Sequence, residues 1–180
     1  MPPTRTDRLR FREMMPDDLD DLHAMFADDG ARRFYPRMRD IAEVRGWIDW
    51  NLENYRRYGF GLWAVNRIDT GAFVGDCGLT YQPVDGADLL EIGYHVTAAE
   101  RGNGFAVEAA TAVLAHGFAV TDAGRICSIV APDNAASIRV AARLHASRRR
   151  CTYAGGADRL LFYTDRPAQP RHRRFLLSSG

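Results

Sequence analysis

The sequence predicts an α+β fold, with a mixed, mostly antiparallel sheet of about seven strands and about four helices. Three β-like runs follow one another with short turns at residues 69–71 and 84–87, which favours an antiparallel meander. A glycine-rich turn at residues 101–106 then leads from the third run into an alanine-rich helical segment. Two further β-like runs, at residues 148–153 and 160–164, are typical of a closing hairpin.

The N-terminal part is predicted to form one strand and two helices. Residues 9–13 alternate apolar and polar side chains, as in a half-exposed strand. Pro16 and the two acids after it are typical of a helix start, and residues 28–30 end that helix. Residues 32–37 are predicted to form a loop, and Asp40 with Glu43 resembles a capping box for a second helix.

The central and C-terminal parts supply the remaining elements. The meander runs cover residues 60–66, 72–81 and 89–96. Apolar residues at helical spacing over 106–118 predict a helix with one face on the sheet, and residues 125–130 are predicted to form a buried strand. Asn134 begins a last helix. We find no linker, so residues 1–166 are predicted to be one domain, followed by a basic tail over 167–180 that we expect to be disordered.

Composition restricts the chemistry. All 24 basic residues are arginine, which excludes a Schiff-base lysine and the lysine of a P-loop. The three cysteines lack the spacing of a metal site, so we expect free thiols in a reducing compartment and no bound metal. The first residues contain no apolar segment typical of a secretory signal, so we predict a cytoplasmic protein without membrane attachment.

Charge is unevenly distributed along the chain. Residues 1–140 hold 15 arginines against 21 acids, whereas residues 141–180 hold 9 arginines against 2 acids. This basic end is either a solvated surface or a region that attracts nucleic acid, for example at the ribosome.

The turn from Arg101 to Ala106 is the most informative motif. Its backbone N–H groups converge at the positive end of the following helix, which is a site for a phosphate or pyrophosphate. A dinucleotide-binding motif fits poorly, because the third small residue of that pattern would fall on Val107 and the preceding strands are predicted to be antiparallel.

Several motifs in this order resemble the GNAT acetyltransferase superfamily, and most closely its Rim-type branch, which acetylates the N-terminal amines of ribosomal proteins. The resemblance covers residues 4–166 and rests on four segments: Thr6-Asp7-Arg8-Leu9-Arg10-Phe11-Arg12, the central hairpin from Gly59 to Leu79, the turn Arg101–Ala106, and Pro132-Asp133-Asn134-Ala135-Ala136-Ser137. It implies a three-layer fold whose sheet is splayed in the middle. It also implies acetyl transfer from acetyl-CoA to an amine in a ternary complex, most simply a protein N-terminal α-amine.

The resemblance implies a binding site for CoA. The strand that ends at Tyr94, His95 and Val96 would separate from residues 125–130, and pantetheine would lie in the gap. Asn134 corresponds to an asparagine that contacts CoA in relatives, although it also fits a plain helix N-cap. The pyrophosphate would be held by Arg101 and by the backbone of Gly102, Asn103, Gly104, Phe105 and Ala106.

The resemblance also suggests catalytic residues. Many members carry a tyrosine acid at the position of Ala141, so that acid is absent here. Ser137 corresponds to a serine proposed to assist the thiolate in Rim-type relatives, or it bonds its own helix backbone. Glu91 and His95 are alternative bases on one face of their strand; Glu91 matches the family better, and His95 has the more suitable ordinary pKa.

Other readings remain open on sequence alone. The acceptor could be a small-molecule amine, such as an antibiotic or polyamine, or the chain could be a non-catalytic acyl-CoA-binding module. Ribosome association through the basic C-terminal region and a homodimer are also compatible with the sequence. Relatives end the last helix in Leu-Gly-Phe, whereas Leu144 is followed here by His145 and Ala146.

Overall fold

A computed structural model describes residues 1–3 and 5–167, so residues 168–180 of the predicted tail lie outside the described part. Within these described residues, five α-helices and seven strands follow one another. They are β1 (Leu9–Arg12), α1 (Leu19–Ala27), α2 (Asp29–Arg32), α3 (Ile41–Tyr58), β2 (Leu62–Arg67), β3 (Phe73–Val84), β4 (Ala87–Val96), α4 (Phe105–Val120), β5 (Arg125–Val130), α5 (Ala135–Leu144), β6 (Ser147–Tyr153) and β7 (Ala157–Asp165).

The seven strands form one mixed sheet in the order β1-β2-β3-β4-β5-β7-β6. Every neighbouring pair is antiparallel except β4 and β5, which are parallel. The predicted mixed, mostly antiparallel sheet is therefore confirmed. The β3–β4 hairpin turns through Asp85 and Gly86, whose φ angles of 51° and 82° are those of a tight two-residue turn.

Helices cover both faces of the sheet. On one face, α1 and α3 bury Phe26, Val44 and Ile48 against Leu62 and Ala64 of β2. On the other face, α4 packs residues such as Ala110 and Val113 against the core of β2 to β5. Two layers of helix thus enclose one layer of sheet. Within the described residues, no helix has the length and apolar character needed to cross a membrane.

The short helix α2 was not predicted. Asp28, which we expected to lie at a helix end, also begins a new helix: its carboxylate accepts hydrogen bonds from the N–H groups of Gly30 and Ala31 at 3.0 and 3.2 Å. Asp40 does cap α3 through the N–H of Ala42, but the carboxylate of Glu43 binds Arg37 and does not complete a capping box.

The sheet opens between β4 and β5. Their register pairs only Leu90 with Ile126 and Glu91 with Cys127. Beyond these pairs, the carboxylate of Glu91 accepts a hydrogen bond from the N–H of Ile129 at 3.2 Å, in the place of a backbone carbonyl. The Ser128 hydroxyl donates to the carbonyl oxygen of Ile92 at 3.0 Å. Side chains therefore replace the ladder, and the strands separate as expected.

The departure from Leu-Gly-Phe is accommodated at the end of α5. His145 has an extended conformation (φ −117°), so this position does not need the left-handed geometry that favours glycine. Its ring is buried and bonds Thr164 Oγ1 at 2.9 Å and Ser128 Oγ at 3.2 Å. The histidine thereby joins α5 to β5 and β7, and the predicted closing hairpin forms beside it.

Candidate active site

A cleft of about 420 Å³ lies where β4 and β5 separate. Its floor is formed by these two strands, and its walls by the segment before α3, by the start of α5 and by the β6–β7 hairpin. Five of the predicted site residues line it, namely Glu91, Tyr94, His95, Asn134 and Ser137. The predicted phosphate turn follows the carboxyl end of β4 and is not part of this lining.

The turn has the conformation expected of an anion site. Gly102 and Gly104 have φ angles of 83° and 81°, in the left-handed region where a side chain is strained. Phe105 begins the 16-residue helix α4, and the first N–H groups of a helix have no partner within it. The backbone of Gly102, Asn103, Gly104, Phe105 and Ala106 is thus gathered at the positive end of α4.

Arg101 has a partner that the sequence did not reveal. Its Nη1 lies 2.7 Å from the carboxylate of Asp28, and its Nε donates to the carbonyl oxygen of Val96 at 3.3 Å. The hydrogen bond and charge of Arg101 hold the pKa of Asp28 below its usual range, although burial opposes this. The arginine therefore connects the phosphate turn to the segment that begins α2.

The edge of β4 presents backbone groups to the gap. The carbonyl of Ile92 points toward β5, because it accepts the Ser128 hydroxyl, whereas the N–H of Thr97 points toward β3 and donates to Val74. Since backbone groups alternate along a strand, the N–H groups of Tyr94 and Val96 face the gap.

The first turn of α5 closes the other side of the gap. Asn134 caps this helix, and its side-chain oxygen accepts the N–H of Ser137 at 3.0 Å. The Tyr94 hydroxyl crosses from β4 and donates to the backbone carbonyl of Ser137, also at 3.0 Å. Three predicted site residues are therefore in direct contact.

Glu91 is the ionisable group at the point where the strands part. Burial raises its pKa to about 7, against the opposing effects of the Ile129 N–H and of His95. A carboxylate with this pKa exchanges protons near neutral pH, which is the property of a general base.

His95 lies on the same face of β4 but has a different environment. Its Nδ1 is 2.6 Å from the fully buried carboxylate of Asp76, and its ring packs against Phe26, Tyr35 and Trp47. Burial opposes protonation of the ring, yet the charge and hydrogen bond of Asp76 raise its pKa. His95 therefore holds its proton more firmly than an ordinary histidine.

Several site residues were missed by the sequence analysis. Asp76 lies directly opposite His95 in the β3–β4 register, and Thr80 lies opposite Glu91. Tyr35, Tyr153 and Arg159 reach the cleft from distant elements. The sequence signal that could have identified Asp76 and Thr80 is the hairpin turn at Asp85 and Gly86, because this turn determines which residues face each other across the hairpin.

The cysteines take no visible part in this site. Cys77, Cys127 and Cys151 are free and buried, and none lines the cleft. Burial raises the pKa of each thiol, which disfavours the nucleophilic thiolate. In the described part of the chain, no cluster of three or more histidine, cysteine or acidic side chains is arranged to hold a metal ion.

The sequence of the chain was compared with protein families and with known proteins. The model of the acetyltransferase (GNAT) domain matches residues 8–147. The chain is 37% identical over 140 residues to the uncharacterized protein YkkB of Bacillus subtilis (strain 168), which covers 77% of this chain and 81% of YkkB.

Solved structures share the fold of this chain. An acetyltransferase from Agrobacterium tumefaciens str. C58 superposes with a TM-score of 0.78 at 23% identity, over 92% of this chain and 95% of that one. RimL, a ribosomal L7/L12 α-N-protein acetyltransferase solved in complex with coenzyme A, superposes with a TM-score of 0.71 at 18% identity, over 91% and 97% of the two chains.

Proposed function

Because the chain belongs to the acetyltransferase (GNAT) family, we propose that it transfers the acetyl group of acetyl-CoA to a primary amine, and that this amine is a protein N-terminal α-amine. The observation that carries the proposal is the position of Glu91. It lines the cleft where β4 and β5 separate, and the phosphate turn follows the carboxyl end of the same strand.

The cosubstrate fits the elements that surround this opening. The backbone of residues 102–106 would hold the pyrophosphate, and the N–H groups of Tyr94 and Val96 would pair with pantetheine as an added strand does. One of these strand amides would polarise the thioester carbonyl and stabilise the negative charge that develops on its oxygen. Asn134 stands at the far side of the gap, on the first turn of α5.

Glu91 is suited to remove the proton from an α-amine. An α-amine has an ordinary pKa of about 8 and a lysine side chain one of about 10.4, so a carboxylate with a pKa of about 7 is the better match for the α-amine. The neutral nitrogen then attacks the acetyl carbon. A C–N bond forms and the C–S bond breaks. Glu91 holds the first proton, and the second proton of the nitrogen passes to the leaving thiolate, which gives the free thiol of CoA.

Ser137 is the proposed partner of that thiolate. It lines the cleft one helical turn after Asn134, and the hydrogen bond from Tyr94 to its carbonyl fixes its position against β4. The position at which many family members carry a tyrosine acid holds Ala141, which is fully buried and faces the core. Ser137 is thus favoured over that position as the group that assists the thiolate.

A small-molecule amine is the second candidate acceptor. The cleft of about 420 Å³ is within the range of small-ligand sites, which favours this class. Its two acidic side chains are Glu91 and Asp133, and Asp133 is paired with Arg33 at 2.6 Å. A polycationic antibiotic or polyamine would therefore find few carboxylates, so a small acceptor with one amine fits better.

The test combines binding with turnover. Calorimetric titration with acetyl-CoA is expected to give micromolar binding, and peptides with a free N-terminus are expected to gain one acetyl group by mass spectrometry. The same peptides blocked at the N-terminus but carrying a lysine are the control. Tight binding without acetylation of any amine would overturn the enzyme proposal and leave an acyl-CoA-binding module.

A further inference from the structure

Most charged side chains that line the cleft are already neutralised. Arg33 pairs with Asp133 at 2.6 Å, and His95 pairs with Asp76 at the same distance. The carboxylate of Glu91 is satisfied in part by the N–H of Ile129. Arg33 at the mouth of the cleft therefore already has a partner, and so do His95 and Glu91 on its floor.

Arg159 of β7 is the exception. It lines the cleft and is partly buried, but among the described residues it makes no ion pair. Its Nη1 donates only to the backbone carbonyl of Asp158, at 2.9 Å. The carboxylate of Asp158 itself binds Arg150, on the adjacent strand. The guanidinium of Arg159 therefore keeps donors free at the cleft.

A guanidinium with spare donors at a cleft can bind an anion. Arg159 as a residue is half-buried and makes no ion pair, although its charge helps to lower the pKa of Asp133, so an anionic ligand would give its free donors a partner. Its planar fork of N–H groups matches the two oxygens of a carboxylate, which gives both orientation and binding energy.

Tyr153 lines the cleft beside Arg159. The guanidinium carbon of Arg159 lies 6.0 Å from the centroid of the Tyr153 ring, and the Tyr153 hydroxyl donates to Gln82 Oε1 at 2.7 Å. Burial and the charge of Glu91 raise the pKa of Tyr153, while Arg159 opposes the shift. The charges of Glu91 and Arg159 therefore both act on the Tyr153 side chain.

We propose that Arg159 binds a carboxylate of the acceptor, so that the enzyme selects amines that carry a negative charge a few bonds from the reacting nitrogen. The inference rests on the proposed acetyl transfer at Glu91 and specifies its substrate class. Two kinds of molecule offer this chemistry: a peptide with aspartate or glutamate at its first or second residue, and a free amino acid.

The test compares acceptors that differ only in this charge. Peptides with glutamate or glutamine at the second residue form one pair, and a free amino acid and its amide form another. The wild-type enzyme is expected to prefer the anionic member of at least one pair by about 10-fold or more in kcat/KM, mainly through KM. The pair that shows the preference identifies the source of the carboxylate.

Substitutions then connect the preference to the residue. Arg159→Gln is expected to bring the ratio within each pair close to one, and Arg159→Lys to keep part of the preference. Arg148→Gln removes an equal charge from the exposed surface of the neighbouring strand β6 and is expected to keep the full preference. Thermal unfolding of each variant verifies the fold.

The outcomes separate this inference from the proposed function. Turnover that is equal for both members of each pair, or a preference that survives in Arg159→Gln, would overturn the role of Arg159 and leave acetyl transfer intact. Failure to acetylate any amine would overturn the proposed function and this inference together.

Discussion

At the scale of single residues, Glu91 combines a structural and a chemical role. Its side chain takes the N–H of Ile129 where a strand carbonyl would otherwise stand, so it stabilises the opening of the sheet. The burial that comes with this position is the main cause of its pKa of about 7. The residue that opens the cleft is therefore also the group best suited to act as a base within it.

Replacement of Glu91 by glutamine is expected to reduce kcat by about 10²- to 10⁴-fold. Only the deprotonated carboxylate accepts a proton, so wild-type kcat should rise with pH through an apparent pKa near 7 and then level off. Glu91→Gln keeps an oxygen for the Ile129 N–H but should lose this rising limb. The pH dependence of acetylation under saturating substrates measures both effects.

A matched control variant shows whether loss of a surface carboxylate alone changes the pH profile. Glu53→Gln makes the same change on the surface of α3, where Glu53 pairs with Arg56, and should leave the pH profile unchanged. A rising limb that persists in Glu91→Gln would assign the titration to another group, and Glu91 would keep only its role in the sheet.

The sequence predicted those site residues whose partners are close along the chain. Strand alternation predicted that Glu91 and His95 share a face, and both line the cleft. The pairing of His95 with Asp76 was also encoded, because Asp76 lies eight residues before Val84 and His95 eight residues after Ala87, the two residues that the turn joins. Arg159 could not be assigned to the cleft, since its position depends on how distant strands assemble.

At the scale of elements, the segment Asp28–Arg33 makes an ion pair at each of its two ends. Asp28 binds Arg101 of the phosphate turn at 2.7 Å, and Arg33 binds Asp133, next to the cap of α5, at 2.6 Å. This segment thus connects the two elements that flank the opening between β4 and β5, namely the phosphate turn and the start of α5. Because the charge of Arg101 is already paired with Asp28, a phosphate would share that charge with the carboxylate.

The substitution Asp28→Asn tests this sharing of the Arg101 charge. Asparagine keeps the cap of α2, since its oxygen can still accept the N–H groups of Gly30 and Ala31, but it removes the charge that holds Arg101. We expect acetyl-CoA to bind about 2- to 5-fold more tightly, as befits a partly exposed ion pair. Calorimetric titration measures the change.

The double substitution shows whether the effect passes through Arg101. Arg101→Gln alone should weaken binding, and Asp28→Asn added to it should change the affinity little. Weaker binding by Asp28→Asn alone would mean that the ion pair holds the phosphate turn in place and does not restrain it.

The junction of α5 with the closing hairpin depends on a neutral histidine. Burial lowers the pKa of His145 to about 4, while an unfolded chain protonates this side chain near its ordinary pKa of 6.5. The unfolded state therefore binds more protons as the pH falls from 6.5 to 4. His145 should cost the fold up to about 1.4 kcal/mol per pH unit across that window.

The substitution His145→Gln should remove this component of acid sensitivity. At pH 7 we expect a loss of about 1–3 kcal/mol, because Ser128 and Thr164 lose a buried partner. Urea unfolding at pH 7, 5.5 and 4.5 gives the slopes. Thr164→Val weakens the same contact but keeps the histidine, so its slope should equal that of the wild type; an equal slope in His145→Gln would exclude the histidine as the cause.

Elements with strong local patterns were predicted from the sequence, and those held by distant contacts were not. The 16-residue α4 has apolar residues at helical spacing, and the helix predicted from that spacing is present. The four-residue α2 is too short for such a pattern, and its flanking ion pairs come from residues 101 and 133. Its existence therefore depends on the assembled fold.

At the scale of the whole molecule, the site has side chains on both faces of the sheet. Glu91 and His95 face the layer of α1 and α3, where Tyr35 and Trp47 surround the His95 ring. Tyr94 packs with the opposite layer and reaches α5. A cosubstrate held along the edge of β4 and an acceptor on the α3 side would thus meet at the opening, as direct attack in a ternary complex requires.

This arrangement predicts which backbone N–H groups acetyl-CoA protects from hydrogen exchange. The N–H groups of Tyr94 and Val96 face the gap and should exchange quickly in the free protein, whereas those of Gly93 and His95 face β3 and should be protected throughout. Bound acetyl-CoA should slow exchange at Tyr94 and Val96 by at least about 10-fold, because pantetheine would accept or cover these donors. Exchange resolved by residue, followed by NMR, is the measurement.

A shortened ligand separates the two parts of the site. Adenosine 3′,5′-bisphosphate lacks pantetheine, so it should leave Tyr94 and Val96 in fast exchange at concentrations where acetyl-CoA protects them. Acetyl-CoA should in addition protect residues 102–106, since their N–H groups surround the proposed pyrophosphate position at the start of α4. Protection of this turn alone, with Tyr94 and Val96 still in fast exchange, would show that the thioester does not lie between the strands. Glu91 could then not reach the reacting amine, and the proposed chemistry at the opening of the sheet would be wrong.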